Sequence, residues 1–248
     1  QSETFRANQV MAERSMDSND IERERGITIL AKATSIIYGD YRVNIMDTPG
    51  HADFGGEVER IMKLVDGVLL LLDAKDVVMP QTKFVLRKAL ESNLKPIVVI
   101  NKIDRPFADP KKTINQVFDL FIDLGASEEQ LEFPVIYASG LLGVSSFTED
   151  VSSAKNMKPL LDTIINHVPK PNVILDGPLQ FQPALVDYSE FVGRMGIGKV
   201  FRGTMKVNSF VSCVRTDGKI QQFRIQKLYR YNGLTRTETE FAEAGDIV

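Results

Sequence analysis

Apolar and polar positions follow two different rhythms along this chain, and the change of rhythm divides it. Up to about residue 170, short wholly apolar runs take turns with stretches of helical spacing. Val68–Leu72, Pro96–Ile100 and Phe133–Ala138 are runs of the kind expected of strands covered on both faces. Between them, Ile114, Val117, Phe118, Phe121 and Leu124 fall on the i, i+3, i+4, i+7 spacing of one helix face. Val58–Leu64, Gln81–Ser92 and Met157–His167 are the other helix candidates, and Thr34–Tyr38 and Tyr41–Met46 flank Gly39-Asp40 as a hairpin would. Strands alternating with helices predict an α/β fold, a mostly parallel sheet with helices on both faces.

Pro169-Lys170-Pro171-Asn172 and Asp176-Gly177-Pro178 then read as a stiff linker. After it no helical spacing remains. Leu179–Val186, Phe191–Phe201, Phe210–Arg215 and Ile220–Tyr231 are β-rich, with turn signals at Asp217-Gly218 and Asn232-Gly233. Several antiparallel strands in so short a length predict a small all-β barrel. The expected division is therefore residues 1–170, a linker at 171–178, and a barrel over 179–248.

Composition adds exclusions. With 43% hydrophobic and 25% charged residues among 248, the chain is neither disordered nor fibrous. The longest membrane-span candidate, Val65–Leu72, is interrupted by Asp66 and falls far short of the roughly 18 apolar residues a span needs, so no membrane partner is expected. The single cysteine, Cys213, reads as a small core residue in a strand and leaves the cytosol as the default compartment. The net charge of −3 argues against generic nucleic-acid affinity, but its distribution is uneven. Residues 179–248 hold 10 basic residues against 7 acidic ones, and all ten lie between Phe191 and Arg236, where Asp217 is the lone acid. An acidic first part and a locally basic second part suggest different partners.

Four short elements in the α/β part carry candidate chemistry. Arg25-Gly26-Ile27-Thr28-Ile29 comes first. Asp47-Thr48-Pro49-Gly50-His51 follows an apolar strand; an Asp there can hold hydrated Mg²⁺, and the Gly lets its N–H approach a phosphate. Asn101-Lys102-Ile103-Asp104, again at a strand end, can present an amide and a carboxylate to a guanine edge, the carboxylate accepting from ring N–H and exocyclic NH₂. Ala138-Ser139-Gly140 could bring a backbone N–H to the guanine carbonyl. Each is a modest signal alone; their order is the strong one.

In that order they resemble the translational GTPases: switch I, switch II, the guanine-specificity motif and the last base-contacting loop. Met16–Lys32, Asp47–Arg60, Met79–Thr82 and Lys95–Pro106 resemble the TypA/BipA family in particular, over essentially the whole chain. The resemblance implies a GTPase-type fold followed by a translation-factor barrel, hydrolysis of GTP to GDP with Mg²⁺, a cytoplasmic monomer, and a ribosome partner. It implies that Thr28 and Asp47 serve the metal, Gly50 the γ-phosphate, and His51 the attacking water. Asn101, Lys102, Asp104, Ser139 and Gly140 would hold the base. Lys102 would lay its stem along the purine, and Arg194, Lys199, Arg202 and Lys206 are candidates for ribosomal RNA contact. In two places the chain departs from the family: Gly140 replaces the usual Ala, and Val77 stands where a Gly commonly follows the acid.

A GTPase of this type also needs a G-x-x-x-x-G-K-[ST] loop ahead of switch I. The only approach to it, Gly193–Lys199, is followed by Val200 and lies among strand signals, so it is expected to be barrel strand. The expectation is that the chain is a fragment beginning after the first strand, itself inactive. In the GTPase topology that strand separates Arg42–Met46 from Val68–Leu72, which should then not be hydrogen-bonded neighbours. Two rival readings remain open at this point: a non-catalytic ribosome-binding module, and another translational GTPase of the LepA or elongation factor G type.

Overall fold

The computed structural model describes residues 31–49, 55–75 and 80–248. Contacts divide them into two units. One contains Thr48–Lys170 with the Tyr38–Tyr41 turn. The other contains Pro171–Val248 together with Lys32–Ile37 and Arg42–Asp47.

The first unit is built on one sheet. Strands β3 (Gly67–Asp73), β4 (Lys95–Asn101) and β5 (Val135–Ser139) run parallel in that order, and the short β6 (Val144–Ser146) closes the β5 side antiparallel. Strand β4 is central. Ile97, Val98 and Ile100 are fully buried and Val99 nearly so, which explains why its sequence is apolar without alternation. Its two faces feed two cores. Leu70, Leu72, Val98 and Ile100 pack with Leu86 of the helix Pro80–Glu91 and with Val117, Leu120 and Phe121 of the helix Pro110–Asp123. Ile97, Val99, Ile136 and Ala138 face the other way, onto Leu160 and Ile164 of the helix Lys158–His167. We label the helices α1 (Gly55–Met62), α2 (Pro80–Glu91), α3 (Pro110–Asp123), α4 (Glu128–Leu131) and α5 (Lys158–His167).

Local chemistry sets the helix ends. Asp109 caps α3 by accepting the Lys112 N–H at 3.0 Å, and Pro110 opens the helix where its missing N–H costs nothing. Ser127 and Gln130 form a reciprocal capping box on the single turn α4, which the periodicity did not predict. On α3 the buried face is Thr113, Val117, Leu120 and Phe121. Phe118 is 43% exposed, contrary to the expected stripe, because Leu120 takes the inward place.

The second unit is a small all-β barrel assembled from two-stranded ladders. Strands β7 (Gln180–Ser189) and β8 (Gly193–Arg202) form the long antiparallel pair, with register shifts at Gln180/Phe181 and Pro183/Leu185. The others are β9 (Thr204–Lys206) with β14 (Phe241–Glu243), β10 (Phe210–Val214) with β11 (Ile220–Arg224), and β12 (Tyr229–Asn232) with β13 (Thr235–Glu238). Backbone bonds join the ladders: Gly198 and Val248 exchange two at 2.9 Å, and Ile225 takes part in two with Asn208 and Ser209. Val200, Met205, Ile225, Leu228, Ala242 and Val248 fill the interior. The predicted strand Ile220–Tyr231 breaks in two because Ile225 and Leu228 turn inward and are buried.

Strands β1 (Lys32–Tyr38) and β2 (Tyr41–Asp47) form the expected hairpin, with Gly39 at φ 57° in its turn. Its strands group with the barrel. Ser35 and Gly233 exchange backbone bonds at 3.3 and 2.8 Å, and Arg42 Nη1 donates to the Tyr231 carbonyl at 3.1 Å. Among the described residues, β2 pairs with β1 and β3 pairs with β4.

Three expectations need correction. Cys213 is exposed, not core, because the β10–β11 ribbon covers the barrel with Val211 and leaves its other positions in solvent. Residues 171–178 do not run free as a linker. The Ile174 N–H donates to the Phe201 carbonyl and the Ile174 carbonyl accepts from Gly203, so this segment adds itself to the end of β8. Lys199 is 3% exposed, with its ammonium 5.8 Å from the Phe201 ring centre, which removes it from the basic surface proposed for RNA.

Candidate functional site

The parallel strands β3, β4 and β5 end side by side, and the loops leaving their C-terminal ends carry the site, as ligand sites of open α/β sheets do. Asp73 and Asn101 are register partners at the last step of β3 and β4. Ser139 ends β5, fully buried, and its Oγ accepts the Leu142 N–H at 3.2 Å. That bond curls the Ser139–Leu142 turn.

Asn101 ties two of these loops together. Its Oδ1 accepts the Lys102 N–H at 2.8 Å and the Gly140 N–H at 2.9 Å. An oxygen with two donors fixes the amide's orientation, leaving the Nδ2 hydrogens as the donors a ligand could use. The expected donor from Gly140 to a base carbonyl is thus engaged within the protein in this structure. Lys102 has φ 62°, in the left-handed region, and the Arg105 N–H closes a turn on its carbonyl at 3.1 Å. This turn carries Asp104 to the rim. Its carboxylate is exposed and, among the described residues, has no hydrogen bond or ion pair. Such a group can accept from two N–H donors without first breaking an internal contact.

Sequence reasoning missed one member. Asp73 Oδ2 accepts from Lys102 Nζ at 2.7 Å, its Oδ1 accepts the Lys75 N–H at 3.0 Å, and Arg105 lies 3.7 Å away. Burial pushes the Asp73 carboxyl up, but the Lys102 and Lys75 hydrogen bonds and the two nearby cations outweigh it and hold the group below the ordinary aspartate range. Its stabilising contribution is therefore complete above that range and is lost only as acid protonates it. The available signal was an acid ending an apolar strand one position after Leu72.

Of the other residues the motifs single out, Asp47 closes β2, whereas Thr28, Gly50 and His51 lie outside the described residues. In the barrel, Arg194 and Lys206 are exposed, and Arg202 is half-buried with Nη2 on Gln180 Oε1 at 3.3 Å.

Gly140 offers a direct test of the loop. A Cβ built there would lie 3.5 and 3.6 Å from the Asn101 amide atoms, ordinary contact. Gly140→Ala should leave the fold intact and stabilise it by up to about 1 kcal/mol through lower unfolded-state entropy. Chemical denaturation checks this; a loss above that size would contradict the geometry.

The first 170 residues match the sequence model of the elongation factor Tu GTP binding domain, and the chain belongs to that family of translational GTPases. Within it the similarity is to BipA. The large ribosomal subunit assembly factor BipA of Bacillus subtilis is 61% identical over all 248 residues, and that of Salmonella typhimurium is 54% identical over the same length. The Haemophilus influenzae protein of the same name is 56% identical over 95% of the chain. The chain spans 38–41% of the length of these relatives. A bacterial selenocysteine-specific elongation factor shares the fold, with a TM-score of 0.68 at 21% identity over 93% of this chain and 37% of that one.

Proposed function

We propose that this chain supplies base recognition, switch segments and barrel to a BipA-like GTPase that acts on the ribosome in the cytoplasm, in assembly of the large subunit. The observation that carries the reading is the Asn101 bridge. It holds the Asn-Lys-Ile-Asp turn and the Ser139–Leu142 turn in one cluster, with the Asp104 carboxylate exposed beside it. Guanine offers adjacent N–H donors at N1 and N2; adenine does not. One carboxylate accepting both selects the base, and the Asn101 Nδ2 hydrogens suit the acceptors on its other edge.

In this reading Thr28 and Asp47 hold Mg²⁺, an all-oxygen donor pair suited to that hard cation, which when bound neutralises charge on the phosphates. The Gly50 N–H binds the γ-phosphate. His51 orients the water that attacks γ-phosphorus, while the bond to the β–γ bridging oxygen breaks to give GDP and phosphate. Arg194, Arg202 and Lys206 are the basic residues offered to ribosomal RNA. Residues 1–248 contain no G-x-x-x-x-G-K-[ST] sequence, since Gly193–Lys199 belongs to β8 and precedes Val200. Expressed alone they should bind GTP and GDP only weakly.

The test uses the full-length gene product with purified large ribosomal subunits. GTP turnover should rise with added subunits, and His51→Ala should lower the stimulated rate about 100-fold or more with little change in nucleotide affinity, because the residue acts in the transition state. Turnover indifferent to both subunits and His51 would reject the assignment.

A further inference from the structure

The guanine-reading turn contains a cation that needs restraint. Lys102 sits at φ 62°, a left-handed conformation disfavoured for a non-glycine residue, and its long side chain is 42% exposed. Left to itself it would sample many rotamers and let the turn relax toward ordinary backbone angles. Two contacts oppose this. One is the Asn101 Oδ1 bond to the Lys102 N–H, and the other is the charge-assisted bond from Lys102 Nζ to Asp73 Oδ2 at 2.7 Å.

Asp73 is well placed to hold rather than merely attract. Its side chain is 14% exposed, and its Oδ1 is fixed by the Lys75 N–H, so the carboxylate has one orientation. Its backbone belongs to the last register step of β3 against Asn101, and the next residue, Ala74, donates its N–H to the Asn101 carbonyl at 2.9 Å. The carboxylate is therefore anchored to the same strand end that presents the base-reading amide. Arg105, 3.7 Å away, is the other side-chain cation facing it.

We infer that Asp73 is a positioning residue for guanine recognition, acting through Lys102. By tying back the ammonium it keeps the aliphatic stem of Lys102 in place as an apolar shelf for the purine and keeps the turn that carries Asp104 preorganised. Binding then spends less free energy on ordering that side chain. The inference rests on the guanine-nucleotide reading above.

A double-mutant cycle on the full-length gene product tests it, with GDP affinity and GTP kinetics as readouts. Asp73→Asn is close to isosteric but loses the charge, and should raise the Kd for GDP about 5- to 20-fold, the loss falling on KM more than on kcat. Lys102→Met should weaken GDP binding at least 5-fold. Adding Asp73→Asn to Lys102→Met should then change Kd by less than 2-fold, because the partner through which Asp73 acts is already gone. A purely structural role would lower the melting temperature without this non-additivity. If Asp73→Asn does not fold, Lys102→Met alone decides, and unchanged GDP affinity in it overturns the inference. So does an Asp73→Asn protein with unchanged affinity, or two effects that simply multiply. An unmodified protein that does not bind GDP overturns the functional reading and this inference together; GDP binding indifferent to Asp73 overturns the inference alone.

Discussion

Asp104→Asn should turn the base preference of the full-length protein from guanine toward xanthine. Guanine has two adjacent donors, N1–H and the N2 amino group, and one carboxylate can accept both. An amide can accept only one of them, and its NH₂ then faces the second donor. Xanthine carries a carbonyl at that second position, which the amide can satisfy. Hydrogen bonds to a charged group are each worth about 1.5–3 kcal/mol, so GDP affinity should fall by about two orders of magnitude or more while xanthosine diphosphate gains. Asp104 is exposed and, among the described residues, unpaired, so its replacement breaks no internal contact and the effect should appear in binding rather than in folding. Equal GDP affinity in the variant and the parent, measured by titration calorimetry, would remove Asp104 from the site.

The largest stability effect is expected at Gly198. A Cβ there would lie 2.0 Å from the Gln182 carbonyl oxygen and 2.7 Å from the Pro183 Cα, both backbone atoms that no rotamer change can move. Strands β7 and β8 approach this closely where the register shifts between Pro183 and Leu185. Gly198→Ala must therefore separate the ladder on one side and strain the reciprocal Gly198–Val248 bonds on the other. Overpacking typically costs 1–3 kcal/mol, and a backbone clash belongs at about 3 kcal/mol or above. Gly196→Ala is the matched comparison, since its Cβ would meet only the Pro183 Cβ at 3.3 Å. Urea unfolding should show a large loss for the first and a small one for the second. Equal effects would mean that the close approach is not what keeps glycine at 198.

Gly198 also shows why a phosphate-loop pattern can arise without a phosphate loop. Gly198 falls on the second glycine of that pattern, and strand proximity alone accounts for it. What was legible in the sequence followed from burial. Strand β4 is apolar throughout because both its faces are covered, and α3 shows its stripe because one face is. The strand-end motifs were legible because short loops leave a strand end little freedom, so Asn101 and Ser139 lie where the spacing placed them. The rest depends on contacts distant in sequence. Nothing local announces that Asp73 meets Lys102 across 29 positions or that the Asn101 amide spans 39 positions to Gly140. Cys213 and Lys199 exchanged their expected environments for the same reason. A two-stranded ribbon hides little, so the apolar Cys213 stays outside, while the closing segment bridging Ile247 to Lys199 covers a charged residue.

Recognition of guanine by the loops at the ends of β3, β4 and β5 is the central proposal for this molecule. Titration calorimetry of the full-length gene product with GDP and ADP, side by side, tests it most directly. GDP should bind at least about 100-fold more tightly than ADP, a difference of about 2.7 kcal/mol, in line with two charge-assisted hydrogen bonds that adenine cannot make. Equal affinities, or no binding of either nucleotide, would contradict it.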